Sequence, residues 1–201
     1  MRDIAKALMP FHRYARSIER RLIDDCGPFS DNSLDMGCGD RSVRFKNTIG
    51  LDINKNLKPD IVCDIAKMPI RDSCIEQIVS NSVFEHVKEL PGMMREANRV
   101  SKNGCRIMCT IGSDIDDDYP DFFKKISAII YKHINNFGIE DWSELFRNSG
   151  FEVIRKIKYV PRTWHFLFLL SCIFPPAAIY GKLAERIDDK EVGIFMECRK
   201  I

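Results

Sequence analysis

Residues 33–40 read Ser-Leu-Asp-Met-Gly-Cys-Gly-Asp, a short strand followed by an acid and a glycine turn. Because Gly37 and Gly39 have no Cβ, the backbone can turn sharply here and approach a ligand closely. In an open parallel sheet, ligands bind in the crevice beyond the carboxyl ends of the strands, where such a turn lies. The stretch therefore predicts a ligand-binding turn at the edge of a parallel sheet.

Strand and helix patterns alternate on both sides of this stretch. Including the first, the predicted strands are 32–36, 48–52, 60–64, 75–80, 105–111, 151–159 and 192–199. The predicted helices are 1–25, 83–100, 120–130 and 139–148. The run 105–111 is almost continuously apolar, which is typical of a parallel strand covered on both faces. The alternation predicts one doubly wound α/β domain.

The connections within this domain are uneven. Only about nine residues, 40–48, join the first two strands, so the first crossover helix is expected to be a single turn. The sequence Ser-Lys-Asn-Gly at 101–104 predicts the end of a helix and a turn. We divide the domain, residues 1–201, into an N-terminal helical segment (1–28), a core (31–158) and an apolar helical insertion (160–186).

Composition narrows the class of protein. Apolar residues make up 45% of the chain, enough for a buried core, and 31 basic side chains nearly balance 29 acidic ones. That balance gives no reason to expect a nucleic-acid partner. The eight cysteines include no CxxC pair, which favours reduced thiols in a cytosolic protein over a disulfide framework. The charged first residues do not resemble a signal peptide, so a cytoplasmic location is expected.

Three successive predicted strands end in an acid: Asp35, Asp52 and Asp64. Neighbouring parallel strands lie about 4.8 Å apart, so three adjacent strand ends span the size of an adenosine. A carboxylate after the second strand can accept both hydrogen bonds of a ribose diol. An acid after the third can accept a hydrogen bond from the exocyclic amine of adenine. We therefore expect a nucleoside-containing cofactor rather than unrelated acidic caps.

The glycine turn differs from a dinucleotide-binding loop. Such a loop reads GxGxxG and opens a helix whose N-terminus holds a pyrophosphate, whereas residues 37–42 read Gly-Cys-Gly-Asp-Arg-Ser. Asp35 and Asp40 would repel a pyrophosphate, but they suit a ligand that carries sulfonium and ammonium groups. A nicotinamide-dependent reductase is the more distant alternative.

At these positions the sequence resembles the class I S-adenosylmethionine-dependent methyltransferases, most closely the small-molecule type 11 group. The resemblance covers residues 31–158 and, weakly, the last strand, and rests on the segments LDMGCG (34–39), IGLD (49–52), DIVCD (60–64), MPIRD (68–72), VFEHV (83–87) and RVSKNG (99–104). It implies a Rossmann-like, doubly wound seven-stranded sheet of order 3-2-1-4-5-7-6, with the last strand antiparallel. It also implies S-adenosylmethionine as the cofactor.

The resemblance implies cofactor contacts for ten residues: Asp35, Gly37, Cys38, Gly39, Asp52, Ile53, Asp64, Ile65, Asn81 and Ser82. Residues 35–39 would border the methionine part of the cofactor. Asp52 would hold the ribose hydroxyls, and Asp64 with the Ile65 backbone would meet adenine. Asn81 and Ser82, after the fourth strand, would flank the sulfonium and the acceptor.

His86 is the candidate general base. Methyl transfer from a sulfonium needs mainly a positioned acceptor and the exclusion of water, with a base only where the acceptor must first lose a proton. Imidazole titrates near neutral pH, which suits that role, and a structural or capping role beside Glu85 is the alternative. The remaining histidines, His12, His133 and His165, lie in no motif and are interpreted as incidental.

Two further stretches leave alternatives open. Residues 113–121 carry five acids in a spacing unlike a standard calcium loop, so we expect a solvated loop rather than a metal site; a site for Mg²⁺ or Ca²⁺ is the alternative. The apolar stretch 164–180 is interrupted by Pro175-Pro176 and is too short to span a bilayer. It is predicted as a helix buried against the sheet, a peripheral membrane contact with basic flanks, or a dimer surface; the first two combine if the acceptor is a lipid.

The sequence thus predicts an S-adenosylmethionine-dependent methyltransferase acting on a small-molecule or lipid-linked acceptor. The alternative is a protein that binds S-adenosylmethionine, has lost catalysis and serves as an interaction subunit. It is motivated by the short first crossover and by Arg41, at a position where the family usually has glycine. The oligomeric state does not follow from the sequence.

Overall fold

The computed structural model describes residues 19–40, 45–112, 133–161 and 191–201. Within these ranges the strands are β1 (Ser33–Met36), β2 (Ile49–Asp52), β3 (Ile61–Val62), β4 (Ile75–Asn81), β5 (Ser101–Gly112), β6 (Phe151–Pro161) and β7 (Glu191–Lys200). The helices are α1 (Leu90–Val100) and α2 (Ile139–Asn148), with 3₁₀ turns at Lys55–Leu57 and Phe84–His86 and a helical stretch at 19–24.

The seven strands form one sheet of order β3-β2-β1-β4-β5-β7-β6. Strands β1 to β5 pair in parallel, and β7 runs antiparallel to both β5 and β6. The predicted fold class, strand order and reversed last strand are confirmed. Because β1 to β5 point the same way, their carboxyl ends share one edge of the sheet. That edge carries the glycine turn 37–39, Asp52, Asn81 and Gly112.

The core lies on both faces of the sheet. Helices α1 and α2 cover one face, where Phe84, Trp142 and Phe146 are fully buried among the side chains of the strands. On the other face, Ile23 of the helical stretch 19–24 packs with Phe45 and with inward residues of β4, β5 and β7. Since successive residues of a strand point to opposite faces, both faces of the central strands are apolar, as the doubly wound prediction requires.

Helix α1 begins later than the sequence pattern predicted. Residues 83–100 were predicted as one divided helix, but the α-helix starts at Leu90 and residues 84–86 form a separate 3₁₀ turn. Pro91 sits in the first turn, where its missing N–H costs nothing. The Glu89 side chain caps the start by accepting the Gly92 N–H at 3.1 Å. The restart at Leu90 therefore has a local chemical cause.

The predicted turn at 101–104 is wrong, because β5 starts at Ser101 directly after α1. The pairing of β4 with β5 passes from Ile75–Ser101 to Gln77–Arg106, so residues 102–105 lie opposite Glu76 as a bulge. Gly104 has φ +80° within this bulge. The turn-like composition thus marks an irregular strand start. The bounds of the other strands differ from the predicted ones by at most two residues.

Several predictions fall outside the described residues: the helix before residue 19, Arg41, the acidic loop 113–121, the helix 120–130, and most of the apolar insertion 160–186, including 164–180. The three-part division of the domain stays a prediction. The cysteines in the described ranges are all free thiols. No helix in the described part of the chain is both long and apolar enough to cross a membrane.

Candidate active site at the carboxyl edge of the sheet

The turn after β1 is built for glycine. Gly37 has φ +73° and Gly39 has φ +61°, in the left-handed region that side chains disfavour. A Cβ on Gly37 would lie 2.4 Å from Cγ2 of Val83, which leaves no room for any other residue. The N–H groups of Gly37 and Cys38 both donate to the Leu51 carbonyl at 2.9 Å, so the turn is fixed against the end of β2.

Asp52 joins this turn to the end of β2. Its Oδ2 accepts the Gly39 N–H at 3.0 Å, and its Oδ1 accepts the Asn54 N–H at 2.8 Å. An ionised carboxylate has about four acceptor positions, so two remain after these contacts. The half-buried carboxylate is thereby held in one orientation at the carboxyl edge of the sheet. This is the position that the sequence predicted for a ribose-binding acid.

Asp35, just before the glycine turn, is buried rather than exposed at the edge of the sheet. Its side chain is 2% exposed, and Oδ2 accepts the Phe45 N–H at 3.4 Å. That contact links β1 to the segment entering β2. Cys38 is also buried, with 4% exposure. Of the four residues predicted to border the methionine part of the cofactor, Asp35 and Cys38 are therefore buried. The other two are glycines that shape the backbone of the turn.

The part of the carboxyl edge next to β3 is more exposed to solvent. Strand β3 ends at Val62, so Asp64 lies two residues beyond the strand and is exposed. Its Oδ1 accepts the Ala66 N–H at 2.9 Å, which forms a tight turn that buries Ile65. Ile53, the residue after β2, is 73% exposed. Of the two residues predicted to meet adenine, Asp64 is exposed and Ile65 is buried, and Ile53, predicted only as a cofactor contact, is exposed.

The end of β4 is tied to β5. Asn81 Oδ1 accepts a hydrogen bond from the Thr110 hydroxyl at 2.6 Å, and the Ser82 N–H donates to the Thr110 carbonyl at 2.9 Å. Ser82 has φ +53°, a left-handed conformation uncommon for serine. Strained backbone of this kind often marks functional sites. Asn81 and Ser82 are therefore held in place at the centre of the edge.

Glu85 is a buried acid that the sequence motifs did not assign to the site. It is 1% exposed; Oε1 accepts the Gly112 N–H at 2.7 Å, and Oε2 has no hydrogen-bond partner among the described residues. Burial raises the pKa of Glu85 to about 7, although the Gly112 N–H and His133 oppose the shift. The motif VFEHV contained this acid, but a sequence does not show which of its acids are buried.

His86, the predicted base, is exposed on the same 3₁₀ turn. Its ring centre lies 5.0 Å from that of His133, with the planes inclined by 62°. Ligand atoms of Glu85, His86 and His133 lie within 4.8 Å of one another. The interpretation of His133 as incidental missed this cluster, because nothing in the sequence relates a histidine 47 positions away to the motif.

Comparison with known proteins gives a family and a fold. Residues 10–156 match the family model described as a methyltransferase domain. The malonyl-[acyl-carrier protein] O-methyltransferase of Legionella pneumophila is 26% identical over 157 residues, which cover 68% of this chain and 51% of that protein. The chain spans about half the length of the first curated relatives it matches.

The solved structures that are similar to this one include two methyltransferases with bound ligands. The geranyl diphosphate C-methyltransferase of Streptomyces coelicolor, solved with Mg²⁺, geranyl diphosphate and S-adenosyl-L-homocysteine, has a TM-score of 0.68 and 14% identity, covering 98% of this chain and 84% of that one. Phosphoethanolamine N-methyltransferase 2 of Haemonchus contortus, solved with S-adenosyl-L-methionine, has a TM-score of 0.65 and 16% identity, covering 92% and 52%. At these identities the likeness concerns the fold alone.

Proposed function

Because this chain belongs to the methyltransferase domain family, we propose that the cleft binds S-adenosylmethionine and that the protein transfers its methyl group to a small-molecule acceptor. The resemblance seen in the sequence motifs is confirmed by the family match. The observation that carries the proposal is the 3.0 Å hydrogen bond from Gly39 to Asp52. This bond connects the glycine turn, where a Cβ on Gly37 would collide with Val83, to the Asp52 carboxylate. That carboxylate still has acceptor positions for a ligand.

The positions of these residues suit one orientation of the cofactor along the edge of the sheet. Asp52 would accept the ribose hydroxyls, since a carboxylate takes two hydrogen bonds from a diol. Adenine would lie near Asp64 and Ile65, with the exposed Ile53 side chain giving up its contact with water. The methionine part would cross the backbone of Gly37–Gly39, where no side chain intervenes. Carboxylates at both Asp52 and Asp64 favour a cationic ligand over a phosphorylated one.

The methyl group would be passed on at the end of β4. S-adenosylmethionine supplies an activated methyl group on a sulfonium when it is bound. The chain's own contribution is to orient the acceptor and exclude water, which accounts for much of the rate in such displacements. Asn81 and Ser82, fixed by Thr110, would hold the acceptor in line, and His86 could take a proton where the acceptor carries one.

The acceptor class remains broad. The similar proteins are named for acyl-carrier-protein-linked, terpenoid diphosphate and phosphoethanolamine acceptors, which differ in charge and in the atom methylated. We propose a small-molecule or lipid-linked acceptor for this chain, with peripheral membrane contact through 164–180 in the lipid case. Co-sedimentation with anionic liposomes tests that contact: a protein that stays in the supernatant would contradict it.

Cofactor binding is tested by calorimetric titration with S-adenosylhomocysteine. Asp52→Ala should weaken binding by about 2 kcal/mol, since the ribose hydroxyls lose a charged acceptor. Asp31→Ala is the matched control, because Asp31 is exposed at the opposite end of β1, and its affinity should equal that of the wild type. Unchanged affinity in Asp52→Ala would refute the ribose role.

Catalysis is tested separately from binding. With S-adenosylmethionine and a panel of acceptors, release of S-adenosylhomocysteine marks a transferase. Cofactor binding without release over a broad panel would favour the inactive interaction subunit. Protection against thermal unfolding by NADH, and not by S-adenosylmethionine, would refute the proposed cofactor altogether.

A further inference from the structure

We propose that Glu85, His86 and His133 form a binding site for one divalent transition-metal ion beside the end of β4. The binding of the ion does not depend on the proposed function. Its use to hold an acceptor does rest on that function, and with the ion bound His86 would act as a ligand in place of a base. None of the three residues belongs to the acidic stretch 113–121, and two of them offer nitrogen rather than oxygen ligands.

The spacing of the three side chains suits one ion. One ligand atom from each lies within 4.8 Å of the other two. Two imidazoles that bind one ion through nitrogens about 2.1 Å away, at ligand angles of about 90–110°, have ring centres roughly 4.6–5.3 Å apart. The His86 and His133 ring centres are 5.0 Å apart, a separation within that range.

The two oxygens of the buried Glu85 carboxylate have different surroundings. Its Oε1 is held by the Gly112 N–H, while Oε2 is buried without a hydrogen-bond partner among the described residues. Buried polar atoms are nearly always paired, and an exception in a native fold needs an explanation. A bound cation would give Oε2 its missing partner and compensate the buried charge.

The segments that carry the ligands are clamped together. The N–H groups of Ile134 and Asn135 both donate to the Glu85 carbonyl, at 2.8 and 3.0 Å. The Asn135 side-chain amide donates to the carbonyls of Phe84 and Val87, at 2.9 and 2.7 Å. These four hydrogen bonds fix the start of the segment after His133 to the 3₁₀ turn that carries Glu85 and His86. Metal sites need such pre-positioned ligands.

The end of β5 forms the back of the cluster. A Cβ on Gly112 would lie 2.7 Å from Oε1 of Glu85 and 2.7 Å from Cε1 of His133. Only a glycine therefore lets both ligands approach the strand. The close packing restrains two of the three ligands from behind and leaves exposed His86 as the ligand nearest to solvent.

The ligand set indicates the class of ion. Two imidazole nitrogens and one carboxylate oxygen suit Zn²⁺, Co²⁺, Mn²⁺ or Fe²⁺, whereas Mg²⁺ and Ca²⁺ prefer oxygen ligands throughout. Three protein ligands leave coordination positions open for water or for a ligand oxygen. Because Glu85 follows Ser82 by three residues, the ion would lie on the acceptor side. It would orient an acceptor that offers a hydroxyl, enolate or phosphate oxygen.

The test is calorimetric titration of the untagged, chelator-treated protein with Zn²⁺ and Co²⁺, and with Mg²⁺ for comparison. We expect one Zn²⁺ or Co²⁺ per chain, visible Co²⁺ absorption bands typical of nitrogen and oxygen ligands, and much weaker Mg²⁺ binding. Because even supporting partners of metal ligands change affinity by about 10–100-fold, His86→Ala and His133→Ala should each weaken binding at least about tenfold.

Two controls keep the result interpretable. Glu85→Gln risks misfolding because Glu85 is buried, so His86→Ala, at an exposed position, is the decisive variant, with its fold checked by circular dichroism. Glu144→Gln, on the exposed side of α2, should bind as the wild type does. Absence of Zn²⁺ and Co²⁺ binding by the wild type, or full affinity in His86→Ala, would overturn the proposal.

S-adenosylhomocysteine titrations on the same samples separate the two proposals. Metal binding without cofactor binding would refute the proposed function and leave the metal site intact. Cofactor binding without metal binding would do the reverse.

Discussion

Gly37 shows how a single position combines backbone shape with access to the ligand. Its φ of +73° lies where a Cβ is disfavoured, and a Cβ placed there would lie 2.4 Å from Val83. The glycine pattern was visible in the sequence, since two glycines separated by one residue after a strand predict such a turn. The partner Val83 was not, because it follows a different strand.

Gly37→Ala should destabilise the protein by about 1–2 kcal/mol from the left-handed conformation alone, with a further loss from the collision with Val83. Chemical denaturation measures the change. Gly104→Ala is the matched control: it also has φ +80°, but nothing lies within 4 Å of its Cβ position and it is remote from the cleft. Gly104→Ala should carry only the conformational cost and leave cofactor affinity unchanged.

The double variant Gly37→Ala with Val83→Ala separates the two contributions. Removing the Val83 side chain should restore the stability that Gly37→Ala loses through the collision. It should not restore the stability lost through the left-handed backbone conformation. Strict additivity of the two single changes would contradict a direct contact between the residues.

Secondary-structure elements with a regular spacing of apolar residues were predicted correctly from the sequence. Helix α2 was predicted at 139–148 and occurs there, with Trp142 and Phe146 buried at helical spacing. The start of α1 and of β5 were missed because they depend on single residues, Pro91 and the bulged Gly104, and on pairing with β4. Glu85 and His133 escaped for a similar reason, since only tertiary structure brings β5, the 3₁₀ turn and residue 133 together.

Arg99 connects two of the sequence segments that carry the family resemblance, MPIRD (68–72) and RVSKNG (99–104). The guanidinium pairs with both carboxylate oxygens of Glu96, at 2.7 and 2.8 Å. It also donates to the carbonyls of Met68 and Ile70, at 3.0 and 2.7 Å, and to Asp72. The segment MPIRD is thus latched onto α1 by the first residue of RVSKNG, which holds the loop after β3 in place.

Arg99→Lys should cost about 1–3 kcal/mol in the free energy of unfolding, because an ammonium group cannot reproduce a forked set of hydrogen bonds. Arg95→Lys is the control. The Arg95 side chain is 73% exposed, and among the described residues its ion pair is with Glu89, at 3.5 Å, so its replacement should change stability by less than about 0.5 kcal/mol. Equal effects of the two substitutions in urea denaturation would show that the latch does not stabilise the fold.

For the whole molecule, strand order was predictable because the family resemblance carried it, and the parallel pairing then set the location of the cleft. The sequence did not predict which acidic side chains at this edge are buried. The same edge holds Asp52, a half-buried acid with hydrogen bonds, and Glu85, a fully buried acid whose Oε2 has no hydrogen-bond partner in the described part of the chain. Two residues of similar chemistry therefore contribute to stability in different ways.

Glu85 gives the folded protein a pH dependence of a definite sign. Burial raises its pKa to about 7, above the ordinary value of about 4.3 for a glutamate in an unfolded chain. The folded state therefore binds the proton more tightly between these two values, and stability falls as pH rises through that window. The full effect is roughly 3–4 kcal/mol, present below about pH 4 and lost above about pH 7.

Urea unfolding at pH 5, 6, 7 and 8, in the presence of a chelator, measures this dependence. Glu85→Gln keeps the acceptor for the Gly112 N–H but cannot ionise. Its free energy of unfolding should therefore decrease less than that of the wild type as the pH rises. The difference in stability between variant and wild type should shift in favour of the variant from pH 5 to pH 8. Parallel curves for the two proteins would contradict a buried, ionising Glu85. If the chelator is replaced by Zn²⁺, the wild type alone should regain stability at pH 8, since the ion stabilises the ionised carboxylate.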